Sequence, residues 1–499
     1  MRTLVFLSTM ILACAAGVVT MVLGMPSTDP VDRLGTKFWK DRHEEKTAAA
    51  KAGGSQVVFL GDSITHNWES NGRKGVQQWA AYFKDAPYRA LNLGYSGDRT
   101  EHVIWRVQNG ELDGYAAKAI VLMIGVNNIW HRGSEKETPI DTIVGVWRVI
   151  GAIREKQPQA RIILLPIFPS GETPDDCRRT HNDAVNREIM KFADGKTLVW
   201  CDFTDQLLEP DGTLPAAIAP DYVHPLAYGY EVWAAAVKPV IDWALTAKEG
   251  DWYPNRYSAY LRKGAASNKK PDAMRAASCI GQKHDWDPAP NWWLERLAER
   301  REQIWRSGGE IDLVFVGDSI THNWEGARGP GSDYGGKELA AFKKSYSVLN
   351  LGYGGDGTAE ILWRLSNGEL DGYKAKCFML MAGTNNGGKP EETAQGIRAI
   401  LDLIAKKQPQ AKTLLLPIFP GGATRQHPWR IRNEKVNALI KSYADGGRVI
   451  WCDFNEQLLN PDGTFTNGMM MPDDLHPLQP GYAIWAAAVE PHFKHVCGK

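Results

Sequence analysis

The chain has 499 residues, with 58 Lys+Arg against 58 Asp+Glu and a formal net charge of zero. That balance argues against a basic nucleic-acid-binding surface, while 43% hydrophobic and 23% charged residues exclude a disordered or polytopic chain. Seven cysteines are too few for a disulfide scaffold, and the length leaves room for about two to four domains.

In chain order, Arg2 precedes an uncharged apolar run over residues 4–23. This is the pattern of an export signal, longer than the usual ~7–15-residue core and so also fit to stay as an anchor. The expectation is a secreted or periplasmic protein, either cleaved after Val22-Leu23-Gly24 or held to a membrane by its N-terminus. Cys201 and Cys452 lie in matching apolar strands and read as buried thiols, as does Cys377, whereas Cys177, Cys279 and Cys497 are candidates for pairing. No CxxC or HExxH spacing occurs, so zinc has no support.

Apolar runs of strand length follow at 56–60, 89–93, 119–124, 161–166 and 197–203, separated by helical patterns. Continuous apolar runs without alternation predict strands buried on both faces, hence a parallel five-stranded sheet between helix layers. This α/β order recurs. Val58 to Glu69 returns as Val314 to Glu325, and 91–128 returns as 349–386 without a gap and with 24 of 38 positions identical. The offset stays near 256 residues, a whole domain, so the chain is a tandem duplication. The predicted boundaries are 1–24 for the signal or anchor, 33–247 and 283–497 for the two domains, and 248–282 for a linker. The two domains are expected to pack on each other.

The polar motifs fall at the carboxyl ends of the predicted strands, where sites form in such folds. Ser63 of Gly61-Asp62-Ser63 sits on the first strand-to-helix turn; on its own, a Ser there is most often only a helix cap. Gly94 ends the second strand, Asn127 follows the third, and Asp221 and His224 stand three residues apart before the last helix. Each has a bland reading as a turn or cap residue. Jointly, and twice over, they supply a nucleophile, a base, an orienting carboxylate and oxyanion donors.

These four blocks, Gly-Asp-Ser-Ile-Thr, Asn-Leu-Gly-Tyr-(Ser/Gly)-Gly-Asp, Gly-x-Asn-Asn and Asp-x-x-His, closely resemble those of the SGNH (GDSL-type) hydrolase superfamily, and within it the platelet-activating-factor-acetylhydrolase-like esterases. The resemblance implies two three-layer α/β/α domains and a serine esterase that uses no metal or other cofactor. It makes Ser63 the nucleophile, His224 the base and Asp221 its orienting acid, with the N–H groups of Ser63 and Gly94 and the Asn127 amide as the oxyanion hole. In the second copy the same roles fall to Ser319, His476, Asp473, Gly352 and Asn385. His66 and His322 are read as packing groups, Asp98 and Asp356 as braces of the glycine loop, and Trp105-Arg106 and Trp363-Arg364 as core plus a buried ion pair.

The copies differ beside the expected cleft. Arg99 is replaced by Gly357, Ile129-Trp130-His131-Arg132 by Gly387-Gly388-Lys389-Pro390, and Leu214-Pro215-Ala216-Ala217-Ile218 by Gly468-Met469-Met470-Met471, which predicts unequal substrate preference. The expected substrate is a small acyl ester, acetyl above all, on a carbohydrate. The alternatives are a lipid-directed esterase (a lysophospholipase or an ether-lipid acetylhydrolase) and a non-catalytic carbohydrate-binding pair.

Overall fold

The computed structural model describes residues 25–84, 86–133, 136–261, 272–280, 282, 291–326 and 334–498. The predicted signal or anchor segment lies outside the described residues, as does much of 262–290.

Two five-stranded parallel sheets carry the fold. The first is built from β1 (Ser55–Gly61), β2 (Arg89–Gly94), β3 (Ala119–Met123), β4 (Arg161–Leu164) and β5 (Leu198–Trp200), in the order β2-β1-β3-β4-β5. The second repeats that order with β6 (Glu310–Gly317), β7 (Val348–Gly352), β8 (Lys374–Met381), β9 (Lys412–Leu415) and β10 (Val449–Trp451). The strand interiors are apolar because helices cover both faces; Val57, Val58, Phe59 and Leu60 are all fully buried. The fourth and fifth runs are shorter as strands than their apolar length suggests: Leu165 and Phe203 stay buried after the ladder has ended.

Parallel pairing puts every strand's carboxyl end on one edge, and β1 lies between β2 and β3 with Gly61 opposite both Gly94 and Met123. The turn after β1 therefore sits where the sheet order reverses, the usual ligand position in open α/β sheets. Gly61 is required there: a Cβ would lie 2.3 Å from both the Met123 carbonyl and Thr65 Oγ1.

The segment predicted as a linker is more than a tether. Arg256 bridges Cys201 at the edge of the first sheet, and the Tyr253 and Ser258 N–H groups donate to the Gly195 carbonyl and Asp202. Further on, the Ala273 carbonyl accepts from Thr358 Oγ1 at 2.6 Å, as the Ser27 carbonyl does from Thr100 Oγ1 in the first domain. A buried ion pair links the two halves. Arg301, on the helix Trp292–Arg306, donates through Nε and Nη2 to both oxygens of Asp141 on the helix Pro139–Lys156, each at 2.9 Å. Both side chains are almost fully enclosed, and the guanidinium holds the Asp141 carboxyl down against the upward push of burial.

None of the six described cysteines forms a disulfide, so the proposed pairing among Cys177, Cys279 and Cys497 is not present. Burial pushes the Cys201 and Cys377 thiols up to about 12. Among the described residues no helix is long and apolar enough to cross a membrane.

Candidate active site

Ser63 opens a one-turn helix, Ser63–His66, directly after β1. Asp62 caps it by accepting from the Ile64 N–H at 2.9 Å, which leaves the Ser63 N–H among the open donors of a first helical turn. Two bonds pin this turn from behind: Tyr230 donates to the Ile64 carbonyl at 2.7 Å and Asn92 Nδ2 to the Thr65 carbonyl at 3.1 Å. Burial raises the Asp62 carboxyl to about 7 and that of its counterpart Asp318 to about 6, in each case against the opposing pull of the capped N–H.

The triad forms in both domains. Ser63 Oγ lies 2.8 Å from His224 Nε2, and His224 Nδ1 lies 3.0 Å from Asp221 Oδ2. The matching distances are 2.8 Å for Ser319–His476 and 2.7 Å for His476–Asp473. Asp221 and His224 meet in a tight turn, because Asp221 Oδ1 accepts the N–H groups of Val223 and His224 at 3.1 and 2.8 Å. The residue after each aspartate takes the left-handed region, with φ 55° at Tyr222 and 52° at Asp474. Burial raises the Asp221 carboxyl, but these N–H donors and the His224 ring outweigh it and hold it at about 2. An ionised Asp at Nδ1 fixes the tautomer in which Nε2 is free to accept the serine proton. In the first domain Arg73 also donates to Asp221 Oδ2, at 2.8 Å.

The oxyanion assignment needs one correction. The Gly94 N–H already donates to Asn92 Oδ1 at 2.8 Å, and that of Gly352 donates to Asn350 at 2.9 Å, so neither is available to a substrate. Gly94 is a packing glycine, since a Cβ would sit 2.1 Å from the His66 nitrogen. The glycine that reaches the site comes three residues later. Gly355, with φ +80°, lines the cavity of about 350 Å³ that holds Ser319, Asn385 and His476, and Gly97 is its counterpart at the same φ. The signal in the sequence was the second glycine of the (Ser/Gly)-Gly-Asp block, passed over in favour of the strand-end glycine.

Asn127 Nδ2 donates one hydrogen to the Asp98 carbonyl at 3.0 Å, as Asn385 does to Asp356, which orients the amide and leaves its second hydrogen for a ligand. Asp98 braces this loop: it accepts from Trp39 Nε1 and Arg106 Nε, both at 2.8 Å, and Arg106 also pairs with Glu111 inside the core. His66 faces Ser96 Oγ at 2.9 Å, away from the nucleophile, and burial next to Arg42 lowers it to about 4.

The GDSL-like lipase/acylhydrolase family matches residues 59–232 and again 315–484, and the chain belongs to that family through both halves. It is 29% identical over 233 residues to the human platelet-activating factor acetylhydrolase IB subunit alpha1, covering 46% of this chain and 95% of that protein. Against the alpha2 subunit of Rattus norvegicus it is 30% identical over 202 residues, 40% of this chain and 81% of the relative. Among solved structures, an acetylxylan esterase from Geobacillus stearothermophilus matches at 21% identity and a TM-score of 0.31, covering 41% of this chain and 98% of that one. The protein is a carboxylic ester hydrolase of the SGNH type, duplicated in tandem.

Proposed function

We propose that both domains are working serine esterases that release small acyl groups, chiefly acetyl, from a carbohydrate acceptor in an exported protein. The observation that carries this is the complete Ser–His–Asp relay, present twice with serine-to-histidine distances of 2.8 Å. Ser63 Oγ attacks the ester carbonyl as its proton passes to His224 Nε2. Negative charge develops on the carbonyl oxygen, facing the Ser63 and Gly97 N–H groups and the free hydrogen of Asn127. The imidazolium, stabilised by Asp221, then protonates the departing alcohol, and water repeats the sequence on the acyl-serine. Ser319, Gly355, Asn385, His476 and Asp473 do the same in the second domain.

Acetyl is supported by the names of the acetylhydrolase relatives. A sugar acceptor is supported by half-exposed Trp130 and Trp429 near the two sites and by the export pattern of residues 4–23. The relatives' names also favour a second reading, an ether-lipid acetylhydrolase. Turnover of p-nitrophenyl acetate, butyrate and octanoate by Ser63→Ala, Ser319→Ala and the double variant decides the matter. Each single variant should keep the activity of the other site, and acetate should be the best substrate. Activity persisting in the double variant, or a preference for octanoate, would sink the reading.

A further inference from the structure

The rims of the two sites are built from opposite materials. In the first domain ten residues separate Asn128 from Pro139, and in the second only three separate Asn386 from Pro390. The longer segment fills its surroundings: Arg132 pairs with buried Glu101 and Glu137, Arg99 pairs with Glu101, and Trp130 lies under the Arg178 guanidinium at 4.5 Å. In the second domain Gly357 stands for Arg99, and Gly387 and Gly388 replace the bulky residues after the asparagines. There a cavity of about 360 Å³ is left between Asn385, Gly388, Trp429, Arg432 and Asn433. It shares Asn385 and Leu475 with the cavity around Ser319, so the two lie side by side.

Two side chains give this cavity a chemical character. Trp429 is 51% exposed at its edge, and corresponds to Arg178 of the first domain. Arg432 stands where the first domain has His181. Its Nη1 donates to the Gly383 carbonyl and Asn433 Oδ1 at 3.2 and 3.3 Å, its Nη2 to Thr393 Oγ1 at 2.8 Å, and its enclosed Nε has no acceptor. All those partners are neutral. Among the described residues no carboxylate pairs with this guanidinium, and burial alone lowers its pKa. A half-buried cation without a counter-charge is a costly element in a fold unless a ligand supplies the anion.

We propose that the second domain holds an acyl-acceptor subsite for an acetylated sugar ring bearing a carboxylate, with Trp429 against the ring's C–H face and Arg432 facing the carboxylate. Thr384, Asn385, Asn386 and Asn433 make the lining polar, which suits a ring with many hydroxyls better than an alkyl chain. In the first domain the counterparts Ile129, Glu137 and His181 border a cavity of about 360 Å³ that does not include Asn127. Glu137 is held there by Arg132 and Asn128, so this half works on neutral or smaller acceptors. This assignment rests on the esterase reading of the second site.

The test uses the full-length Ser63→Ala protein, in which only Ser319 can react. Its kcat/KM for acetylated oligogalacturonate should exceed that for an acetylated neutral xylo-oligosaccharide, and Arg432→Gln should lower that ratio about 10- to 100-fold, chiefly through KM. Arg432→Lys should restore part of it, and Trp429→Ala should lower both sugar esters relative to p-nitrophenyl acetate. A ratio near one in the parent, or one that neither substitution moves, overturns the subsite. Preference for a lysophospholipid over both sugars assigns the cation to a phosphodiester and overturns the sugar. If the Ser63→Ala protein does not cleave p-nitrophenyl acetate, the esterase reading of this domain has failed. The subsite is then still judged by quenching of tryptophan fluorescence with oligogalacturonate in the Ser319→Ala protein, which Trp429→Ala should abolish; no quenching rejects it.

Discussion

The two halves agree at the proposed catalytic groups and part company around them. Nucleophile, base and orienting acid superpose in kind and nearly in distance, and the bracing ion pairs Arg106–Asp98 and Arg364–Asp356 are alike at 2.8 Å. The rim beyond the asparagine is a salt-bridged plug in one half and a glycine-floored cavity in the other. Duplication has preserved the Ser–His–Asp geometry, while the rims proposed to meet the rest of the substrate have diverged.

The largest effect comes from removing the shared nucleophiles. Replacing both Ser63 and Ser319 by Ala should lower turnover by about 10⁴-fold or more, and each single replacement should expose one half's own substrate profile. If the two profiles coincide on acetylated neutral and acidic sugars, the difference between the rims has no consequence for selectivity. Next comes the bond between the halves. Arg301→Ala leaves Asp141 enclosed and uncompensated, and should cost roughly 3–5 kcal/mol in chemical denaturation; replacing Asp141 by Asn in the same chain should recover part of the loss. Asn127→Ala, with Ser319 already replaced, should cost about 10²–10³ in kcat, and Asn385→Ala in the converse background the same. An asymmetric result would show that the two oxyanion holes are not equivalent.

Acid should separate the halves by a smaller margin. Burial holds His181 near 4, and burial beside Arg99 lowers His102 to about 2, while the second domain has Arg432 and Glu360 in their places. Because the folded pKa values lie below that of an unfolded histidine, ~6.5, these groups favour the folded first domain above that pH. Their contribution is lost progressively as pH falls toward 4. The raised carboxyls Asp62 and Asp318 run in the opposite sense but occur once in each half, so they largely cancel in the comparison. Thermal melts at pH 7.5 and 5 should show the first domain's transition moving down relative to the second's, with limited proteolysis assigning the transitions.

Much of this was legible in the sequence. Both sheets follow from uninterrupted apolar runs, and the triads from Ser63, Asp221 and His224 recurring in register with Ser319, Asp473 and His476. The oxyanion glycine was misread because the strand end marks where the chain turns, whereas the donor is set by the loop that follows. Asn92 captures the N–H of Gly94, a side-chain bond that spacing does not reveal. The Arg301–Asp141 bond was equally hidden: each residue sits on an ordinary amphipathic helix, and only the packing of one half on the other turns two charges into partners. The packing of 252–261 against the first sheet escaped for a similar reason, since backbone pairing at a sheet edge needs no apolar pattern.

That interdomain pair also has a polarity. The first domain offers the acceptor, Asp141, and the second the donor, Arg301. Where the first domain would need a donor of its own it carries Thr47, and where the second would need the acceptor it carries Glu392, one methylene longer and occupied with the Lys389 N–H. Repeating the joint would require both missing partners, so the contact has a valence of one on each side. Through this pair alone, a third unit could not be added head to tail.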